Sequence, residues 1–289
     1  MALSVVQAAS ASSSGSNTTA TFGATTTAGS LIVVISYQGV DNTTNLVVSD
    51  SASQTGWTQV GSYVTVSGDR FAMFYRPNSA AITNVKCTWG SLNATIPVVA
   101  YEIAGAATSS PLDANASNPA TSTQTNGTHN SFASGTLSTN NANDILLFAM
   151  GASVNVVGEA AGTGYTAPTN WNASNGRCAM QYKIVSATQS SVSTSISFNS
   201  VAVQNVGIFA AFSDTNQAVT FQPDEDFWDE LALGSSLRLS IANPFSAIPV
   251  STVFAMGEDL AGPLFGQPDE DYWSVFVVQP TIPVVTIFS

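Results

Sequence analysis

The sequence is poor in charge, and above all in basic residues. Charged residues fill 8% of the 289 positions, and only six of them are Lys or Arg. Nucleic-acid binding needs a basic stripe that displaces counterions from phosphates, and an anionic membrane surface attracts similar clusters. The six basic residues are scattered, and the net charge is −12. We therefore predict that neither nucleic acid nor a membrane is a partner.

Residue types that carry catalysis or hold metals are also scarce. One histidine, His129, and two cysteines are too few for a zinc site, and His129 lies in a predicted loop far from any G-x-S-x-G phrase. Glu102 and Glu159 are the remaining acid–base pair. Glu102 alternates with apolar neighbours, which favours a sheet edge or a hydrogen-bonded interior position. We predict no enzyme, no cofactor and no metal.

Long apolar runs and a disulfide framework are missing as well. No run approaches the roughly 18 apolar residues of a membrane span, and the first residues, MALSVVQAASASSSGS, do not resemble a secretory signal. Cys87 and Cys178 lie in strand-like runs, so we predict two free core thiols. The hydroxyl- and amide-rich composition nevertheless resembles that of an extracellular surface. A virion protein fits both observations, because it folds in a reducing cytoplasm and leaves the cell by lysis.

Residues 1–214 are typical of short β-strands separated by turns. SVSTSISF alternates in polarity, whereas LIVVIS and ILLFAM are apolar throughout and predict central strands covered on both faces. No stretch of ten or more residues shows capped helical periodicity. We predict an all-β, two-sheet, jelly-roll-like β-sandwich. Its predicted strands are Ser30–Tyr37, Asn45–Ser49, Trp57–Val66, Arg70–Arg76, Asn84–Trp89, Ile96–Ile103, Asp144–Gly151, Arg177–Val185, Val192–Phe198 and Asn205–Phe212, and turn-rich pieces such as Ser117–Asn130 separate them.

Four phrases in this region carry a resemblance. They are AGSLIV at Ala28–Val33, VSDSASQTGW at Val48–Trp57, YEIAGAATSSPLD at Tyr101–Asp113 and ANDIL at Ala142–Leu146. In kind and order they resemble a Ser/Thr-rich β-sandwich module of bacterial surface proteins and tailed-phage structural proteins. The resemblance implies a jelly-roll-like fold and a surface or virion setting, and it implies no reaction.

Residues 215–289 differ in composition from the rest. They hold ten acidic residues against one base, Arg238, and seven of the twelve prolines. Proline fixes φ and removes a donor, which argues against a sizeable sheet or a long helix. VSTVFAM, YWSVFVV and IPVVTIF are apolar and must be buried somewhere. We predict an extended arm that docks on neighbouring proteins, and folding back onto the chain's own sandwich is the alternative.

The arm repeats one phrase, QPDEDFW at Gln222–Trp228 and QPDEDYW at Gln267–Trp273, 45 residues apart. Five carboxylates at Asp224–Glu230 are compatible with calcium, but the second copy keeps only three, so we favour partner-facing charge. Aromatic residues are common interface anchors, with charge at the rim. The predicted docking residues are Pro223, Asp224, Phe227, Trp228, Pro268, Asp269, Tyr272 and Trp273.

Sugar binding is the competing hypothesis, because aromatic rings on a β-sandwich can stack on sugars. Trp171, in a predicted loop, and Tyr165 are the candidate residues, whereas Trp57 and Trp89 are predicted in the core. The leading hypothesis is a non-enzymatic phage virion protein that is exposed on the particle surface, and within this class we predict a head decoration (cement) protein. Its partners are other capsid or tail subunits, with copies of itself in the particle. A tail-fibre or appendage subunit, or a carbohydrate-binding module for a host glycan, is the alternative.

Overall fold

The computed structural model describes residues 2–39, 43–90, 94–173 and 176–214, all within one compact unit of the chain. This part of the chain contains fourteen strands and no helix, and its strand pairings are antiparallel. The all-β prediction is confirmed. No helix that could cross a membrane is present among these residues.

In chain order the strands are β1 (Ser4–Gly15), β2 (Asn17–Thr21), β3 (Leu31–Gln38), β4 (Val47–Asp50), β5 (Thr58–Gln59), β6 (Val64–Val66), β7 (Asp69–Arg76), β8 (Asn84–Thr88), β9 (Ala94–Ala104), β10 (Ala120–Ala133), β11 (Asn143–Ala152), β12 (Asn172–Ala173), β13 (Cys178–Ser186) and β14 (Ser195–Ser213).

Two large sheets form the sandwich. The central sheet has the order β1-β9-β3-β7-β5, with β6 also paired to β7. The facing sheet has the order β10-β14-β11-β13-β12. A third sheet of three strands, the outer sheet β2-β8-β4, packs on the other side of the central sheet. The predicted two-sheet sandwich is therefore present, with a small third layer added to it.

The central sheet is apolar on both faces. Val33 and Ile35 of β3 point into an inner core, where they meet Leu147 and Ile208 of the facing sheet. The alternate residue Val34 points the other way, into a second cluster shared with the outer sheet. Because successive side chains of a strand point to opposite faces, β3 is buried at every position. LIVVIS is thus a doubly covered central strand, as predicted.

The facing sheet is also covered on its far side. Leu146 and Phe148 of β11 and Phe209 of β14 form a third apolar cluster there, closed by Phe132 and Ile196. The last two come from the end of β10 and the start of β14. Burying a side chain of this size is worth roughly 1.5–3 kcal/mol, which explains why ILLFAM carries no polar residue.

Trp89 is wholly buried beneath the outer sheet, which confirms its predicted core position. Its Nε1–H donates to Ser36 Oγ at 2.8 Å, and Ser36 Oγ donates to the Pro97 carbonyl at 3.1 Å. This chain of hydrogen bonds satisfies the indole without access to water, and it holds β3, β9 and the end of β8 together.

The two cysteines are free and fully buried, as predicted. Cys87 belongs to the cluster beneath the outer sheet and Cys178 to the inner core. Burial raises the pKa of both thiols, so they act as small apolar side chains and not as nucleophiles.

The prediction of turns at Ser117–Asn130 is wrong. Most of this segment is β10, a strand of 14 residues along the edge of the facing sheet. Its side chains alternate between half-buried and exposed, but most of them are small and polar, so the alternation is invisible in hydropathy. Thr recurs along it, and β-branched residues favour strands. His129 accordingly lies in β10 and not in a loop.

Several predicted boundaries also change. Gly61, at φ +62°, interrupts the predicted strand Trp57–Val66 and separates β5 from β6. The predicted strands Val192–Phe198 and Asn205–Phe212 are largely parts of the single 19-residue strand β14. β1, β2 and the two-residue β12 were not predicted.

Candidate functional site

The predicted docking residues lie outside the described part of the chain. They are Pro223, Asp224, Phe227, Trp228, Pro268, Asp269, Tyr272 and Trp273, and the acidic run considered for calcium lies there too. The docking hypothesis therefore stays a prediction. The last described residue, Asp214, directly follows β14, so residues 215–289 continue from the end of a strand in the interior of the facing sheet.

Tyr165 and Trp171, the predicted sugar-binding residues, both lie on the connection between β11 and β13. Trp171 is outside regular strands, as expected, but its ring is half-buried and packs against two of the apolar clusters. The Tyr165 ring lies 6.3 Å from that of Phe209, and Lys183 Nζ lies 6.0 Å from its centroid. Burial raises the pKa of the Tyr165 hydroxyl. Part of each ring is thus already used in packing, which differs from the expected open stacking surface.

Trp57 is half-buried against the cluster beneath the outer sheet, in line with its predicted core role. Its Nε1–H donates to Asp50 Oδ2 at 3.0 Å. Asp50 Oδ1 also accepts the backbone N–H groups of Ala52 at 2.9 Å and Gln54 at 3.2 Å. The phrase VSDSASQTGW is therefore a turn that its own aspartate organises, with the tryptophan closing it.

Glu102 of β9 is wholly buried and acts as a hydrogen-bond acceptor inside the sandwich. Its Oε1 accepts Thr27 N–H at 2.7 Å and Ser30 Oγ–H at 3.1 Å, and its Oε2 accepts Gln7 Nε2–H at 2.7 Å. Of the two positions predicted for Glu102, a sheet edge and a hydrogen-bonded interior position, the interior one is confirmed. These bonds join β9, β1 and the loop before β3, and they account for both oxygens.

The other acid–base candidates lie elsewhere in the fold. Glu159 is half-buried on the connection between β11 and β13, whereas Glu102 belongs to the central sheet. His129 Nε2 lies 3.1 Å from the Thr125 carbonyl of its own strand. Within residues 2–214, as far as they are described, no group of three or more His, Cys, Asp or Glu side chains is arranged to hold a metal ion.

Asp113, from the phrase ending in PLD, organises a second set of loops. Its carboxylate accepts the backbone N–H groups of Asn115 at 2.8 Å, Asn140 at 3.0 Å and Asn141 at 2.9 Å. The side-chain amide of Asn141 adds a fourth donor at 2.8 Å. Asp113 is only 2% exposed, so these charge-assisted bonds fix the loop before β11 against the segment after β9.

Asp144, from the phrase ANDIL, lies at the start of β11 and is wholly buried. Within the described part of the chain, neither of its carboxyl oxygens forms a hydrogen bond. Burial, followed by the negative charges of Asp113 and Asp214, raises the pKa of Asp144 to about 7. A buried carboxyl group without donors is uncommon, because ionising it there is costly.

A fourth polar group lies at the opposite end of the sandwich. Asp69 of β7 is buried and accepts a hydrogen bond from the Gln204 amide of the facing sheet. Burial raises the pKa of Asp69, and burial together with Asp69 raises that of Tyr37. Arg177 lies over the Tyr37 ring and donates to the Ser153 carbonyl. This group connects the two large sheets through polar contacts.

Sequence reasoning missed Asp50, Asp113 and Asp144 as structural acids. Each lies inside a phrase quoted for the resemblance, so the signal was present: one or two acids in a phrase that is otherwise free of charge. Their partners could not be read from the phrases, since Asp113 bonds residues 27 and 28 positions away. Comparisons with protein-family models, curated proteins and solved structures give no match for this chain.

Proposed function

We propose that this chain is a non-enzymatic structural protein of a phage virion. Residues 1–214 are a β-sandwich displayed on the particle, and residues 215–289 are an arm that docks on neighbouring subunits. Within this class we favour a head decoration (cement) protein. The observation that carries the proposal is the acidic–aromatic phrase QPDED(F/Y)W, which occurs twice in the arm.

The described fold supports a scaffold role for the sandwich. Its central sheet is covered on both faces, and the facing sheet is covered by its own connections. Its buried acids Asp50, Glu102 and Asp113 accept hydrogen bonds from the protein's own backbone and side chains. Groups committed in this way stabilise loops, and they are not positioned as an acid–base pair around a substrate.

The arm has the composition of a docking peptide. Each repeat combines a proline, three acids and two aromatic rings, such as Phe227 and Trp228. Aromatic anchors supply much of the energy of an interface, whereas acids at the rim keep the free peptide soluble. Two anchors on one chain raise the apparent affinity for a symmetric lattice, because the second binding event becomes intramolecular.

The test is incorporation into particles. Variants Trp228→Ala and Trp273→Ala, singly and combined, are expected to reduce the copy number in purified virions, by at least about tenfold for the pair, because aromatic hot spots are typically worth 2 kcal/mol or more. Trp171→Ala is the control in the sandwich. Because the Trp171 ring packs against two apolar clusters, the melting temperature of this variant is measured first, and the folded variant is expected to incorporate normally. If the double variant assembles as the wild type does, the docking role is wrong.

Copy number separates the structural alternatives. Hundreds of copies per particle support decoration, and a handful supports a tail fibre or appendage. The sugar hypothesis is tested on the same variants with immobilised host glycans. Binding that Trp171→Ala abolishes, combined with normal assembly of the Trp228 and Trp273 variants, would replace the docking proposal by carbohydrate binding.

A further inference from the structure

The sandwich is closed by backbone hydrogen bonds at the point where residues 215–289 continue from it. Ala107 N–H donates to the Ser213 carbonyl at 3.0 Å, and Ser213 N–H donates to the Pro111 carbonyl at 2.7 Å. Asp214 N–H donates to the Asn143 carbonyl at 3.1 Å. We call this region, formed by residues 106–113, 139–144 and 213–214, the exit end.

Asp144 lies in the exit end without a hydrogen-bond donor for its carboxyl group. The hydroxyl group of Thr139 interacts with Asp144, but it has a single proton, which Thr139 Oγ1 donates to the Asn141 carbonyl at 3.0 Å. The same oxygen accepts Gln189 N–H at 3.0 Å. A carboxylate at Asp144 would therefore compete with the Asn141 carbonyl for this one proton, and among the described residues no other donor reaches its two buried oxygens.

Asp113 presents the opposite situation. Its two oxygens accept hydrogen bonds from four N–H groups, and bonds of this kind stabilise a carboxylate. Asp113 and Asp144 interact directly. Two adjacent carboxyl groups share one proton more readily than they hold two negative charges, and N–H donors favour the charged form of the group that they reach. In this pair the N–H donors converge on Asp113 and not on Asp144.

Among the described residues, the charged groups that act on Asp144 are both acidic. From β14 the titratable neighbour is Asp214, and from the segment after β9 it is Asp113. On β13, Val185 lies opposite Asp144 in the pairing register. Lys183, two residues earlier on that strand, holds its Nζ near the Tyr165 ring, at 6.0 Å from the centroid.

We propose that Asp144 is protonated and that its O–H group donates a hydrogen bond to the carboxylate of Asp113. This hydrogen bond holds the exit end closed, and it is lost as the pH rises. When the proton is lost, the adjacent carboxylates of Asp113 and Asp144 repel each other close to the point where Asp214 N–H and the residue 106–113 segment close the sandwich. The repulsion then weakens the backbone hydrogen bonds of the exit end, while the rest of the sandwich stays folded.

The pH range in which this proton stabilises the folded chain follows from the raised pKa of Asp144. The pKa of Asp144 is raised from its ordinary 3.8 to about 7, so between these values the folded chain holds a proton that the unfolded chain has lost. Stability from this group is therefore greatest at acid pH and is lost as the pH rises toward 7. Between pH 5 and pH 8 this carboxyl alone raises the unfolding equilibrium constant about a hundredfold.

The test uses the full chain and follows the carboxyl carbon-13 shifts of its aspartates by NMR between pH 4 and pH 9. One resonance is expected to titrate near pH 7 and to be absent from Asp144→Asn. Backbone amide exchange, corrected for its intrinsic pH dependence, is expected to accelerate above pH 7 at Ser213 and Asp214 in the wild type. The exchange measurement needs no variant, so it remains informative if the substitution impairs folding.

Between pH 5 and pH 8 the unfolding equilibrium constant of Asp144→Asn is expected to rise by a factor about a hundredfold smaller than that of the wild type. Asp50→Asn, at a buried aspartate whose oxygens accept N–H groups, is the matched control and is expected to keep that rise. An Asp144 resonance that titrates below pH 5 overturns the proposal. The proposal is also overturned if the melting temperature at pH 8 depends on calcium in the wild type and not in Asp144→Asn, because a cation and not a proton would then bind at Asp144.

Discussion

The substitution Glu102→Gln tests whether a buried acceptor holds the central sheet to its loops. In the native chain Thr27 N–H, Ser30 Oγ–H and Gln7 Nε2–H all point at the carboxylate. An amide at this position has one acceptor oxygen and one NH₂ group. Whichever way it is turned, its NH₂ group faces at least one of these donors at a distance suited to a hydrogen bond.

The magnitude follows from the bonds that are lost. A hydrogen bond to a charged group contributes about 1.5–3 kcal/mol, and a buried donor left without a partner costs about 1–3 kcal/mol. Glu102→Gln is therefore expected to lower the free energy of unfolding by roughly 2–4 kcal/mol. In a domain of this size, that lowers the melting temperature by about 5–15 °C. Urea unfolding followed by tryptophan fluorescence measures the first quantity, and circular dichroism the second.

A reciprocal exchange supplies the control. Adding Gln7→Glu to the Glu102→Gln chain restores a donor–acceptor pair, because the new amide at position 102 can donate to the new carboxylate at position 7. That carboxylate keeps an acceptor for Ala24 N–H, which lies 3.1 Å from the native Gln7 Oε1, but it loses the bond that Gln7 Nε2 donates to the Ala24 carbonyl at 3.0 Å. We therefore expect the double variant to be more stable than Glu102→Gln alone and less stable than the wild type. A Glu102→Gln chain within about 0.5 kcal/mol of the wild type would refute the reasoning, since surface substitutions have effects of that size.

Two further substitutions test the loops and the inner core. Asp113→Ala leaves three backbone N–H groups and the Asn141 amide without their acceptor, so it is expected to cost at least about 3 kcal/mol in urea unfolding. A loss below 1 kcal/mol would contradict the role of Asp113 as a loop organiser. Gly151→Ala places a Cβ 2.7 Å from Tyr37 Cδ2 and 2.9 Å from Phe71 Cδ2, and overpacking of this kind costs about 1–3 kcal/mol. Gly23→Ala, whose Cβ meets nothing closer than 3.9 Å, is the matched control, and equal losses would contradict the packing.

The strands that the sequence predicts well are those that are apolar on one or both faces. Leu31–Gln38 and Asn143–Ala152 were recognisable because burial on both faces leaves no polar position. β10 was not recognisable, because an edge strand with small polar residues on both faces has the composition of a loop. The third sheet was missed although β4 and β8 lie close to predicted strands, because the pairing of β8 with β2 and β4 cannot be derived from the residues of the separate strands.

The interior acids show where sequence reasoning ends. A single acid among apolar neighbours, such as Glu102, suggested a buried hydrogen-bonded role, and that alternative is confirmed. The asymmetry between Asp113 and Asp144 depends on which of them receives the N–H groups of residues 140 and 141. That allocation is a property of loop geometry, and neither phrase contains it.

The route by which the chain leaves the sandwich has a mechanical consequence. β14 pairs with β10 along one side, up to Phe209, and with β11 along the other, up to Ser213. A pull on Asp214 along the strand loads both ladders of hydrogen bonds in shear, so many bonds share the tension at once. A pull on an edge strand would instead peel its single ladder bond by bond. Any load that residues 215–289 transmit therefore reaches the sandwich through a strand that is held by hydrogen bonds on both sides.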